Sequence, residues 1–159
     1  MSLDANSLNV PGGKPAPSKN ATHPVRRILL VDYDPAICAL CSEVLTSYGY
    51  RVDTAQDGEA GWGLLHAASQ ATDGYDLLIT DNNLPSLSGV ELIKKARSRR
   101  MTLPVILASG TAPANREWFQ FSEVLQLSSI LPKPFSPDEL VQTVKEVLHW
   151  SGVPRSQSS

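Results

Sequence analysis

Five segments of this 159-residue chain carry the hydrophobic pattern of buried β-strands. Short apolar runs of this kind are typical of parallel strands that are covered on both faces. Polar residues and turn-forming residues separate the runs, so each strand is expected to be short. The predicted strands are Ile28 to Val31, Arg51 to Ala55, Leu77 to Thr80, Pro104 to Ala108, and the pair Ile130 and Leu131.

A helix is predicted after each strand, because apolar residues recur there at helical spacing. Asp34 and Pro35 are a suitable N-cap and first residue for the first helix, and Gly49 is suited to end it. Its apolar stripe comprises Ile37, Leu40, Cys41, Val44, Leu45 and Tyr48. The other helices are predicted from Asp57 through Leu65, from Ser88 or Gly89 to Ala96, near Ala114 to Phe121, and from a cap at Ser136 through Leu148.

Strands that alternate with helices predict an α/β fold. Parallel neighbours need crossover connections, and right-handed crossovers place helices on both faces of the sheet. We therefore expect a doubly wound, five-stranded parallel sheet of the flavodoxin-like kind. It should occupy residues 25–150 as one domain, between a disordered Pro- and Gly-rich arm at 1–24 and a short polar tail at 151–159.

Composition excludes several classes of protein. The chain has a net charge of −2, has no apolar run long enough to cross a membrane, and lacks a secretory signal pattern, so we expect a cytoplasmic protein. Cys38 and Cys41 lie inside a helical pattern without a second ligand pair, which favours buried free thiols. A basic run between Lys94 and Arg100 lies at the end of a predicted helix, where cations complement the helix dipole, so no direct contact with nucleic acid is expected.

Polar side chains follow the apolar strands at their carboxyl ends. Asp32 follows the first strand, Asp81 the third, Ser109 the fourth and Lys133 the fifth. Ligands of open α/β sheets bind at this edge. Two acids, a hydroxyl and an ammonium group gathered there predict a site for a hard cation such as Mg²⁺ and for a phosphoryl group.

Four blocks of the sequence resemble the receiver domain of two-component response regulators. They are ILLVDYDPAI, YDLLITDNNLPSLSGVELI, PVILASG and LPKPFSPDELV, in the family's order, and the resemblance covers roughly residues 26–150. It implies that Asp81 is the phosphoacceptor, Ser109 the switch hydroxyl and Lys133 the conserved lysine of the family. It also implies a cis peptide bond before Pro134.

The resemblance further implies a Mg²⁺ ion held by Asp81, by Asp32 through water, and by the backbone carbonyl of Asn83. The phosphoryl group would come from a histidine kinase or a phosphotransfer protein. Phosphorylation would then change how the face formed by the fourth helix, fifth strand and fifth helix binds a downstream protein. A homodimer is left open, and neither an enzyme nor a membrane protein is expected.

Two residues depart from the family pattern. Tyr33 replaces the second of two adjacent acids, which is the direct metal ligand, and a phenol with a pKa of about 10 is neutral at pH 7. Mg²⁺ affinity should therefore be weakened or lost, since Asp34 is better explained as a helix cap. Ile130 lies where the family has a switch Tyr or Phe, so any readout must rely on other residues.

Two alternatives follow from these departures. The chain could be a pseudo-receiver that binds its partners without Mg²⁺-dependent phosphorylation. More remotely, Asp32 and Asp34 resemble the first motif of haloacid-dehalogenase-like phosphatases, with Ser109 and Lys133 as later motifs. That interpretation leaves Asp81 unexplained and lacks a cap region.

Overall fold

The computed structural model describes residues 24–110 and 116–152, without the side chains of residues 116–119, 121 and 150–152. Strands and helices alternate throughout this range, as the hydrophobic pattern predicts. The strands are β1 (Arg27–Val31), β2 (Arg51–Ala55), β3 (Leu77–Asp81), β4 (Val105–Ser109) and β5 (Ser129–Pro132). The helices are α1 (Pro35–Ser47), α2 (Gly58–Ser69), α3 (Gly89–Ser98), α4 (Arg116–Leu125) and α5 (Pro137–Gly152).

The five strands form one parallel sheet in the order β2-β1-β3-β4-β5. Residue 28 of β1 lies beside residue 77 of β3, and the strand order reverses between these two neighbours. This reversal is the topological switch point at which open α/β sheets place their ligands. The prediction of a doubly wound, flavodoxin-like fold is confirmed.

Alternate residues of each strand face opposite sides of the sheet, so the sheet separates two hydrophobic cores. In β1, Ile28 and Leu30 pack with residues of α1 and α5, whereas Leu29 and Val31 pack with residues of α2 and α3. All four side chains are buried. The apolar runs therefore mark strands that are covered on both faces.

The predicted caps of α1 are confirmed. Asp34 precedes the helix in an extended conformation, and its carboxylate accepts a hydrogen bond from the backbone N–H of Ala36 at 2.9 Å. At the other end Gly49 adopts φ +94° and donates its backbone N–H to the carbonyl of Thr46 at 2.9 Å. A side chain at residue 49 would be strained in this left-handed conformation.

Parts of the helix predictions were wrong. Leu40 and Tyr48, which belong to the predicted apolar stripe of α1, are 54% and 52% exposed, because Cys38, Cys41 and Leu45 form the face turned to the sheet. Helix α4 ends at Leu125 rather than near Phe121, and its predicted start at Ala114 lies outside the described residues. Helix α5 includes Ser151 and Gly152, which were expected in the tail.

Within residues 24–110 and 116–152, no helix combines the length and the apolar character needed to span a membrane.

Candidate functional site

Four of the predicted site residues meet at the carboxyl edge of the sheet. Asp32 directly follows β1, Asp81 ends β3, Ser109 ends β4, and Lys133 follows β5. The side chains of Asp32, Asp81 and Ser109 are buried, and Lys133 is 20% exposed. Burying two carboxylates is costly unless a cation compensates them, so this edge requires a positive partner.

Lys133 provides that positive charge. Its ammonium nitrogen lies 2.6 Å from Oδ2 of Asp32 and 3.3 Å from Oδ2 of Asp81. Burial by itself would lower the pKa of Lys133, but the hydrogen bond and charge of Asp32, followed by those of Asp81, outweigh it and raise that pKa. Lys133 therefore stays protonated at neutral pH and neutralises one of the two negative charges.

Backbone amides hold the other oxygen of each carboxylate. The N–H of Asp34 donates to Oδ1 of Asp32 at 3.0 Å, and the N–H of Asn83 donates to Oδ1 of Asp81 at 3.3 Å. Each carboxylate is thus oriented by one backbone donor and by Lys133. Such fixed orientation favours chemistry that needs a defined approach of the reacting atoms.

Strands β4 and β5 link the hydroxyl to the lysine. The backbone N–H of Lys133 donates to the carbonyl of Ser109 at 2.8 Å, and the Lys133–Pro134 peptide bond is cis, as the resemblance implied. The Ser109 side chain is 4% exposed. Ser109 and Lys133 are therefore neighbours across two adjacent strand ends.

Tyr33 directly follows Asp32 in the chain but differs from it in exposure. It is 58% exposed, whereas its neighbour Asp32 is buried. Asp34 is engaged as the cap of α1, as expected. Among the described residues, no group of three or more His, Cys, Asp or Glu side chains could hold a metal ion.

The carboxylate oxygens that converge at the site are ligands of the kind that Mg²⁺ prefers. Asp32 and Asp81 converge on one cation, the ammonium group of Lys133, which shows that a small positive group is accommodated between them. Mg²⁺ usually keeps several waters and binds proteins through one or two carboxylates. A pair of acids meets that minimum, with one acid fewer than the family pattern.

Asn82, directly after Asp81, is a site contact that the sequence interpretation missed. Its side-chain oxygen accepts the backbone N–H of Val90 at 3.1 Å, and its backbone carbonyl accepts that of Gly89 at 3.0 Å. A Cβ atom at residue 89 would overlap the carbonyl oxygen of Asp81. The available sequence signal was the pair Asp81-Asn82 with a glycine seven residues after Asn82. Only the contacts in the folded chain show that Asn82 binds the start of α3.

The two cysteines are buried free thiols, as predicted. Cys38 lies beneath the site, where its Sγ donates to the backbone carbonyl of Asp32 at 3.2 Å. Burial raises the pKa of Cys38, and it raises that of Cys41 to about 11. Both thiols are therefore protonated at neutral pH.

The basic run at the end of α3 is only partly a solvated helix end. Arg99 and Arg100 are exposed, but Arg97 is half-buried and donates to four backbone carbonyls, those of Met101, Leu103, Leu125 and Gln126. Arg97 thereby joins the end of α3 to the end of α4. Because the guanidinium of Arg97 makes these hydrogen bonds, the basic run has a structural role.

Similar proteins carry the same fold and sequence pattern. The chain is 34% identical over 122 residues to Protein RcaC of Microchaete diplosiphon, and 32% identical over 130 residues to the transcriptional regulatory protein CpxR of Escherichia coli K12. These matches cover 77% and 80% of this chain but 18% and 52% of the relatives, so the chain spans about half or less of their length.

A solved structure gives the same result. The chemotaxis protein CheY4 of Vibrio cholerae has a TM-score of 0.67 and 28% identity, over 78% of this chain and 99% of that chain. Residues 28–145 match the family described as the response regulator receiver domain. Receiver domains are signalling modules, and they generally use Mg²⁺ for phosphorylation. This chain therefore belongs to the response regulator receiver domains of two-component phosphorelay signalling.

Proposed function

We propose that Asp81 accepts a phosphoryl group from a phosphohistidine on a partner histidine kinase or phosphotransfer protein. The observation that carries this proposal is the shared ion pair, in which buried Asp81 lies 3.3 Å from Lys133 while Asp32 holds the same ammonium group at 2.6 Å. Asp81 is thus a buried, oriented carboxylate beside a positive charge. This is the arrangement that an attacking carboxylate needs.

The proposed step exchanges one bond to phosphorus for another. A carboxylate oxygen of Asp81 attacks the phosphorus in line, the new O–P bond forms, and the P–N bond to the histidine of the partner breaks. The imidazole leaves with the electron pair of that bond and takes up a proton. Lys133 stabilises the negative charge on the phosphoryl oxygens as a point charge.

Ser109 is proposed as the switch residue. Its position at the end of β4, joined through its carbonyl to the backbone N–H of Lys133, supports a role beside the phosphoryl group. A hydroxyl there donates a hydrogen bond to a phosphoryl oxygen, and a new bond of this kind changes the local backbone. The signal then passes to a downstream protein by contact. Ile130 is half-buried in β5, so this response does not use an aromatic switch side chain.

A Mg²⁺ ion would be held by the carboxylates of Asp32 and Asp81 and by the backbone carbonyl of Asn83. When bound, it supplies additional positive charge for the phosphoryl oxygens. Because Tyr33 contributes no carboxylate, we propose that this ion is bound more weakly than in receivers with two adjacent acids. Lys133 then carries a larger share of the charge compensation.

The proposal is tested with beryllofluoride, which mimics a phosphoryl group on an aspartate. The ligand is titrated at millimolar Mg²⁺ while backbone amide shifts are followed by NMR, and Asp81→Asn is the matched control. We expect shifts around Asp81, Ser109 and Lys133 in the wild type and none in the control. Phosphoramidate should also add one phosphoryl mass to the wild type alone.

The pseudo-receiver is the second candidate. The observation in its favour is that Tyr33, whose side chain is exposed, lies where the family has its second acid. It predicts no response of the wild type to beryllofluoride and a response in Tyr33→Asp. These two results together would contradict the phosphorylated switch and support a module that binds its partners constitutively.

A further inference from the structure

We infer that Asn82 is a positioning residue for the phosphoacceptor, acting through the loop that joins β3 to α3. This inference rests on the proposed role of Asp81. Asn82 is half-buried and lies between Asp81 and Asn83, whose backbone N–H holds Asp81 Oδ1. Any displacement of Asn82 therefore moves the groups on either side of it.

Asn82 supplies two of the acceptors at the start of α3. The backbone carbonyl of Asn82 accepts the N–H of Gly89 at 3.0 Å, and its side-chain oxygen accepts the N–H of Val90 at 3.1 Å. The next donor, the N–H of Glu91, is taken by the hydroxyl of Ser88 at 3.1 Å. The first three backbone donors of α3 are thus satisfied, two of them by the residue that follows the phosphoacceptor.

Ser88 and Asn82 both accept hydrogen bonds from the start of α3, but they connect it to different parts of the molecule. Ser88 is the N-cap of α3 and forms a reciprocal capping box with Glu91, so its contacts stay within the start of that helix. Asn82 instead joins the helix to the end of β3. Both residues stabilise α3, but only Asn82 connects α3 to Asp81.

Close packing keeps this connection short. The backbone of Gly89 lies directly against the carbonyl of Asp81, where a Cβ atom would overlap it. On the other side of the loop, the N–H of Gly58 in α2 donates to the carbonyl of Pro85 at 3.2 Å. The loop is therefore held between the starts of two helices, and the amide of Asn82 fixes its first residue.

Loss of this amide should affect phosphoryl-site geometry more than a cap alone would. Without its side-chain oxygen, residue 82 can rotate its peptide planes, which changes the direction of the Asn83 N–H toward Asp81. Reactions and ligands that need an aligned carboxylate are sensitive to small displacements of this kind. Ser88 offers the matched control, because removing its hydroxyl costs α3 one acceptor without touching Asp81.

The experiment compares the wild type, Asn82→Ala, Asn82→Ser and Ser88→Ala. Urea unfolding measures stability, and calorimetric titration with beryllofluoride at saturating Mg²⁺ measures the phosphoryl site. We expect Asn82→Ala and Ser88→Ala each to raise the unfolding equilibrium constant by about fivefold, as loss of a helix cap does. Only Asn82→Ala should weaken beryllofluoride binding, by about tenfold.

Asn82→Ser keeps a neutral acceptor oxygen one bond closer to the backbone, so it should recover part of the lost affinity. Equal beryllofluoride affinities for Asn82→Ala and Ser88→Ala would overturn the inference and leave Asn82 as a simple helix cap. Failure of the wild type to bind would instead overturn the proposed role of Asp81 itself.

Discussion

The ammonium nitrogen of Lys133 lies closer to Asp32, at 2.6 Å, than to Asp81, at 3.3 Å. Asp32 is therefore the stronger partner of the lysine in this state. The longer distance means that Asp81 forms a weaker ion pair with Lys133 than Asp32 does. This asymmetry suits a site in which Asp81 reacts while Asp32 retains the positive charge nearby.

The asymmetry predicts unequal coupling energies. Lys133→Met should lower the free energy of unfolding by about 2 kcal/mol, because two buried carboxylates lose their shared cation at a site with some solvent access. In double-mutant cycles, Lys133 should couple more strongly to Asp32→Asn than to Asp81→Asn. Urea unfolding at neutral pH gives the free energy of unfolding of each single and double variant, and the two coupling energies follow from these values.

Lys145 provides the control for that cycle. Its side chain is on the exposed face of α5, and its ammonium nitrogen lies 4.9 Å from the centroid of the Tyr48 ring. Lys145→Met should change stability by about 0.5 kcal/mol or less. Equal coupling of Lys133 to both aspartates would show that the difference in distance has no energetic consequence.

Tyr33→Asp should increase Mg²⁺ affinity by about tenfold, since it adds a negatively charged oxygen ligand beside Asp32. Tyr33→Ala removes the ring without adding a charge and should leave the affinity near that of the wild type. Calorimetric titration with Mg²⁺ alone measures both variants. A similar gain in both would assign the weak binding to the bulk of the ring rather than to the missing acid.

Two glycines, one at the start of α3 and one inside α2, predict opposite effects on stability. Gly89→Ala should destabilise the fold by about 3 kcal/mol, because the added methyl group meets the backbone carbonyl of Asp81, which cannot yield without moving β3. Gly63 lies in α2 with nothing within 4 Å of an added Cβ. Gly63→Ala should therefore stabilise the helix by about 1 kcal/mol.

Thermal and urea unfolding measure the stabilities of Gly89→Ala and Gly63→Ala relative to the wild type. A mild effect of Gly89→Ala would mean that the loop between β3 and α3 yields easily. In that case the close packing against Asp81 would not hold the phosphoacceptor in position.

Tyr75 predicts a loss of stability at high pH. Burial of its phenol and the 2.7 Å hydrogen bond that it donates to Asp53 raise its pKa to about 12. A group whose pKa is raised by folding contributes stability below its unfolded pKa of about 10, and this stability is lost as the pH rises toward the folded value. The Tyr75→Phe variant should lack the part of the stability loss at high pH that comes from ionisation of Tyr75.

Absorbance titration of the phenolates, together with unfolding between pH 9 and pH 12, measures the effect. An unchanged high-pH titration in Tyr75→Phe would contradict the assignment. Arg27, whose guanidinium lies 4.3 Å from the Tyr75 ring centroid, stays in both proteins.

The sequence by itself determined the fold and the edge of the sheet at which the polar residues gather. Runs such as Leu77 to Thr80 have no polar face, so they require helices on both sides, and alternation with helices requires a parallel sheet. Parallel strands bring their carboxyl ends to one edge, which is why Asp32, Asp81 and Lys133 could be grouped before any contact was known.

Tertiary structure decided what these residues and their neighbours touch. Helical spacing alone did not distinguish Leu40 from Cys41, because both faces of α1 carry apolar residues and only the sheet selects which one is buried. The hydrogen bond from Val90 to Asn82 joins residues eight positions apart across a turn, and no local pattern encodes it. Distances within the Lys133 ion pairs likewise depend on how the sheet positions three strands, β1, β3 and β5, with β4 between the last two.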